Sequence, residues 1–113
     1  MERVLALYAG RAFLGGRGVA FKVRTEAAAS LNRSPYSTVV LDFAGVRGVS
    51  HSFADELLSP LADVLGAQVP ERITITNCDG QVEGELRSVA AMHGLPFPSV
   101  RREANQSERY AFA

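Results

Sequence analysis

The chain lacks most of the features that mark specialised classes of protein, and each lack excludes something. It has one cysteine, Cys78, so no internal disulfide can form. That fits a reducing, intracellular setting. No second cysteine stands at redox spacing and no activating base lies beside it in sequence, so Cys78 reads as a small residue at a strand end. There is no excess of either charge: 12 Lys and Arg stand against 12 Asp and Glu. A balanced chain lacks the electrostatic footprint of a general nucleic-acid binder. The one local basic excess, at Arg101, Arg102 and Arg109, is largely offset by Glu103 and Glu108. No apolar run reaches the roughly 18 residues of a membrane span. The opening MERVLALYAGR lacks the basic-then-apolar pattern of a signal peptide. The expected setting is cytoplasmic, and no motif calls for a cofactor.

What is present is an ordinary globular composition: 113 residues, 47% apolar and 21% charged. That length suits one domain with a single core and no covalent staples. Arg3 to Tyr8 is short, apolar and partly β-branched or aromatic, and predicts a strand. Ala9-Gly10-Arg11 predicts a turn and Ala12 to Leu14 a brief return strand, which would form a hairpin at an antiparallel edge. Val19, Ala20, Val23, Ala27 and Leu31 recur at helical spacing, so a helix is expected over about 18–32. Asn32-Arg33-Ser34-Pro35 ends it, because the residue before proline disfavours helical geometry.

Thr38 to Phe43 is apolar without alternation, as in a strand buried on both faces. Gly45 and Gly48 shape the loop that follows. A second helix is expected from Ser52 to Leu65, with Phe53, Leu57, Leu61, Val64 and Leu65 as its core stripe and Gly66 as its stop. Ser52 with Asp55 resembles a capping box, and Asp55 and Glu56 would sit in the first turn, at the positive end of the helix dipole. Pro60, in mid-helix, should kink or divide it. Ile73 to Asn77 predicts a further strand and Asp79-Gly80 a turn. A third helix is expected over Gln81 to His93, with Val82, Leu86, Val89, Ala90 and Met92 inward and Gly94 at its end. The alternation of strand and helix implies an α/β domain: a mostly parallel mixed sheet of four to five strands with helices mainly on one face. Its expected extent is residues 1–98, with 99–113 as a tail or a last short strand.

The most informative stretch is VVLDFAGVRGVSHSFADELL, where a buried strand, a tight loop and a helix meet. Asp42, Phe43, Gly45, Val46, Val49, Ser50, Ser52, Phe53, Ala54, Asp55 and Glu56 resemble the signature of a bacterial STAS-like family of uncharacterised function (DUF4325-like). That family is distantly similar to the STAS domains of anti-sigma-factor antagonists. The resemblance covers roughly residues 3 to 94, and its SFADE portion is fairly specific.

The resemblance implies a STAS-like fold and a regulatory, protein-binding role. Antagonists of this type bind a small histidine-kinase-like ATPase that acts as a serine kinase, and phosphorylation near the start of the second helix breaks the complex. Their loop reads Asp-Ser-Ser-Gly, with phosphate on the first serine. Aligned by the strand, Ser50 falls on that aspartate, His51 on the phosphoserine, Ser52 on the second serine and Phe53 on the glycine. The phosphoacceptor position thus holds histidine.

The junction also makes sense without the family. A helix N-terminus offers unpaired N–H groups and a positive dipole end, which favour a phosphate or carboxylate. A phosphate added beside Asp42, Asp55 and Glu56 would repel them and switch a docking surface off. The plainer reading is that Ser50 or Ser52 caps the helix and that Asp42 holds the loop through backbone N–H groups.

Ser, His and Asp together suggest a hydrolase triad, but neighbours in sequence rarely face one another and no G-x-S-x-G elbow is present. His51 and Asp55 share helical spacing without a third metal ligand at telling distance. His93 reads as a favourable charge at a helix C-terminus. Gly15, Gly16 and Gly18 match neither nucleotide-binding glycine motif and read as a turn. The expected function is therefore non-catalytic: a module that docks a partner protein, such as a histidine-kinase-like ATPase or an anti-sigma factor, through Asp42, Ser50, His51, Ser52, Phe53 and Asp55. Two other readings stand beside it. One is a sensor of a small ligand, nucleotide or anion at the same helix N-terminus; the other is a structural subunit that forms a homo-oligomer through an exposed sheet edge.

Overall fold

The computed structural model describes residues 1–102. Its strands are β1 (Glu2–Ala6), β2 (Phe13–Leu14), β3 (Thr38–Asp42), β4 (Gly48–Val49), β5 (Ile73–Thr76) and β6 (Ser99–Arg101). Its α-helices are α1 (Arg17–Leu31), α2 (His51–Leu65), the single turn α3 (Val69–Arg72) and α4 (Gly80–His93). Four strands form a parallel sheet in the order β1-β3-β5-β6, while β2 and β4 pair as a separate parallel ribbon.

Alternation along the strands sets the layers. Leu5 and Leu7, Val39, Leu41 and Phe43, and Ile73 and Ile75 point into one core. The helices supply its other wall: Ala20, Val23, Ala27 and Leu31 from α1, Phe53, Leu57, Leu61 and Leu65 from α2, and Val82, Leu86 and Val89 from α4. Of the residues that alternate with the core-facing ones, Glu2, Val4, Ala6, Ser99 and Arg101 are exposed. An ion pair of 3.0 Å between Glu2 and Arg101 joins the two edge strands, β1 and β6. Arg72 sits just before β5, at the N-terminal end of the strands. Its guanidinium donates to the carbonyls of Leu31, Ser34 and Ser37, and so pins the chain between α1 and β3.

The α/β class, the parallel sheet and the order of its main elements agree with the sequence reading. The expected hairpin does not form: β2 does not return along β1. Phe13 and Leu14 instead pair in parallel with Gly48 and Val49. The reason is packing, because this register buries both Leu14 and Val49 in the core. The short strand β4 lies in what reads from sequence as loop.

Pro60 does not divide α2, which runs unbroken from His51 to Leu65. An interior proline costs about 3 kcal/mol. Leu57 and Leu58 before it and Leu61 and Leu65 after it are buried, and burial of each such side chain is worth roughly 1.5–3 kcal/mol. The stripe therefore outweighs the missing hydrogen bond. Two side chains expected inside are not: Val64 and Met92 are both well exposed. Of the expected tail, 99–101 is strand β6, and 103–113 lie outside the described residues.

Candidate functional site

The β4–α2 junction stands at the C-terminal end of the parallel strands, and its shape follows from three side chains. Asp42, the last residue of β3, accepts the Ala44 N–H at 3.0 Å and the Asn77 side-chain N–H at 2.9 Å. It thereby ties the loops after β3 and β5 together. Asn77 adopts φ of 58°, left-handed geometry that asparagine tolerates better than most residues. Gly45, at φ of 87°, turns the β3–β4 loop. Ser50 then caps α2: its hydroxyl accepts the Phe53 N–H at 3.0 Å and donates to the Gly15 carbonyl at 2.7 Å.

The cap is thus Ser50 rather than Ser52, and there is no capping box at Ser52 and Asp55. The helix begins at His51, so Asp55 and Glu56 lie past its first turn. They face other helices instead. Glu56 accepts hydrogen bonds from Arg17 and Arg24 of α1 at 3.2 and 2.9 Å. Asp55 accepts the Ser59 hydroxyl at 2.7 Å and lies 3.6 Å from His93 Nε2 and 3.7 Å from Arg17. The Ser59 hydrogen bond holds the Asp55 carboxyl below its ordinary range against the opposing effect of burial, and the charges of His93, Arg17 and His51 add to it.

The expected site residues therefore divide. Asp42, through Oδ1, and Ser50, through its hydroxyl, hold the loop and the cap. Phe53 is wholly buried in the core and presents no side chain to a partner. His51 is exposed and Ser52 half-buried on the first turn of α2.

Two residues that the sequence reading did not place here join them from α4. His51 Nδ1 lies 3.7 Å from Glu85, and the His51 and His93 rings are 6.4 Å apart. The chain's two histidines thus meet on one surface with Asp55 and Glu85. No spacing rule links His51 to His93, since the packing of α4 on α2 brings them together. His93 faces a carboxylate on another helix as well as ending its own.

Among the described residues no three His, Cys, Asp or Glu side chains are arranged to hold a metal ion. No helix among them is long and apolar enough to cross a membrane. Cys78 lies at the foot of α4, and burial, aided by the charges of Glu83 and Asp79, pushes its thiol up to about 12. Nearby, burial pushes the Glu83 carboxyl up, but hydrogen bonds from Arg87 and Arg102 and their charges hold it below its ordinary range.

The model of a family described as a STAS-like domain of unknown function (DUF4325) matches residues 20–83. The chain belongs to that family. The match runs from within α1 to the first turn of α4, so the STAS-like span includes β3, the junction, all of α2 and β5. No curated protein and no solved structure matches the chain.

Proposed function

We propose that this STAS-like domain is a non-catalytic regulatory module that docks a partner protein through the first turn of α2 and the loop before it. The observation that carries the reading is the division of labour at the junction. Asp42, Ser50 and Phe53 fix the backbone, while His51 and Ser52 stand on a rigid, partly exposed helix start beside His93 and Glu85. Sites built on fixed elements hold their geometry before binding, which lowers the entropic cost of association.

Two features favour binding over catalysis. The Ser50 hydroxyl donates to a backbone carbonyl, whereas a nucleophilic serine needs a base to take its proton. The Cys78 thiol is held protonated. The partner we infer is a histidine-kinase-like ATPase, by similarity to antagonists with STAS domains, in a cytoplasmic setting that suits a chain with one cysteine. Modification at His51 or Ser52 would set two added negative charges next to Asp55 and Glu85 and weaken docking by repulsion.

The test is calorimetric titration of the purified chain against a purified ATPase of that type recovered with it. His51→Glu and Ser52→Glu should each weaken binding at least about tenfold, on the scale of a buried like-charge contact, with the fold intact by circular dichroism. Unchanged affinity in both variants would sink the reading.

A further inference from the structure

Two segments that run side by side carry the same device twice. Residues 8–13 read Tyr-Ala-Gly-Arg-Ala-Phe, and residues 44–48 read Ala-Gly-Val-Arg-Gly. The N–H groups of Arg47 and Gly48 both donate to the Ala12 carbonyl, at 2.7 and 3.3 Å. The Tyr8 ring lies against Gly45, where a Cβ would come within 3.0 Å of it. The Phe13 ring lies against Gly48 in the same way, again at 3.0 Å, and its other edge meets Gly15, at 3.1 Å.

Gly15 and Gly48 have no positive φ, so the backbone does not demand glycine at either. What they provide is a floor for the ring. Even so, Phe13 remains 58% exposed and Tyr8 49%. Rings packed on backbone have already lost much of their freedom, so little further ordering is needed when something binds them.

Charge accompanies the rings. Arg11 and Arg47 come from the same two segments, and both are exposed. Neither forms an ion pair among the described residues, as Arg33 and Arg72 also do not, whereas Arg3, Arg17, Arg24, Arg87, Arg101 and Arg102 do. Fixed aromatic rings beside unpaired arginines are the composition of protein-interface hot spots.

Phe13 forms a ridge between two shallow concavities of about 280 and 230 Å³, one lined by Arg11 and the other by Arg47. Small-molecule sites usually enclose their ligand in roughly 300–1,000 Å³, so a ridge between two smaller hollows fits a segment lying across it better than a nucleotide within it. Glu85 also lines the second hollow, and it is the carboxylate beside His51. The patch is thus continuous with the first turn of α2.

We propose that this patch seats an acidic segment of a partner protein across the Phe13 ridge, with carboxylates on Arg11 and Arg47 and apolar side chains on the rings. It rests on the docking reading above and adds the partner's chemistry. Residues 8–13 lie outside the span that the family model matches.

The experiment is NMR titration of the isotope-labelled full chain with three probes: a peptide alternating glutamate and leucine, its lysine–leucine counterpart, and ATP. A saturable shift is expected at residues 8–13 and 44–48 with the glutamate peptide alone, weakened several-fold, roughly, by raised salt. Phe13→Ala should weaken it about tenfold while the rest of the spectrum stays dispersed. The double variant Arg11→Glu/Arg47→Glu should reverse the preference toward the lysine peptide. The absence of saturable shift, an unaltered preference in the double variant, or a stronger response of these residues to ATP would each overturn the proposal. None of those results decides the junction itself, which His51→Glu and Ser52→Glu test against the intact ATPase.

Discussion

Ser50 Oγ stands 2.7 Å from the carbonyl oxygen of Gly15, so the cap of α2 is bonded to the loop that leads into α1. One hydroxyl serves two elements, because it also accepts the Phe53 N–H. Ser50→Ala should lower stability by about 1–2 kcal/mol, the loss of a cap together with a stranded carbonyl. Urea unfolding measures this, and a change below a few tenths of a kcal/mol would show that the cap is dispensable.

Gly45 and Gly48 should respond differently to alanine, although each lies under an aromatic ring. Gly45 has φ of 87°, so Gly45→Ala combines backbone strain with the clash against Tyr8 and should cost about 1–2 kcal/mol. Gly48→Ala meets the Phe13 ring but adds no backbone strain, and should cost less, about 1 kcal/mol. Thermal melts of the two variants give the order, and a larger loss at Gly48 would show that displacing the Phe13 ring outweighs the strain at Gly45.

Asp55 makes acid stability a readout of the site. Its carboxyl is depressed in the folded chain, first by the Ser59 hydrogen bond. A depressed carboxylate stabilises the fold above its unfolded pKa, and that contribution disappears as pH falls through the folded value. Asp55→Asn should therefore unfold at lower urea than the parent at pH 6. The gap should narrow as pH falls through the carboxylate range. A gap that stays constant across that range would assign the loss to packing instead.

Cys78 should be nearly inert while the fold is intact. With the thiol at about 12, the thiolate fraction at pH 8 is about a thousandfold below that of a free cysteine. Half-buried Cys78 should therefore label with a disulfide reagent far more slowly than a free cysteine at pH 8, and labelling at the free-cysteine rate under native conditions would contradict the raised thiol.

Arg72→Lys should cost about 2 kcal/mol or more, because one ammonium cannot replace a guanidinium that reaches three carbonyls from Leu31 to Ser37. Chemical denaturation of the variant checks this.

Local pattern made much of the architecture readable. The spacing of Ala20, Val23, Ala27 and Leu31 placed α1, and that of Phe53, Leu57, Leu61 and Leu65 placed α2, because one stripe of each must face a core. The loop-holding role of Asp42 and a serine cap were also readable, since short polar side chains at element ends have few other roles. The capping box expected at Ser52 and Asp55 was misplaced, because the helix starts one residue earlier and Ser50 caps it. What escaped was long-range. Phe13 pairs with Gly48 rather than turning back on β1, and nothing within a few residues encodes that choice. Likewise, nothing near His51 points to His93. Val64 shows the limit of periodicity: it continues the α2 stripe on paper yet is 78% exposed, because the buried face at that end of the helix runs through Leu58, Leu61, Ala62 and Leu65 instead.

The wholly parallel pairing of the described strands also bears on how the chain reaches its fold. Glu2 meets Thr38, Val39 meets Ile73, and Thr74 meets Ser99. No strand can bond to a neighbour until an intervening crossover has been synthesised and brought back. The ladder cannot begin from a local hairpin, so every strand pairing waits on a long-range contact. A nascent chain that stops short of β5 has nothing to cover the inner edge of β3. That half-built edge is the state most exposed to wrong pairing.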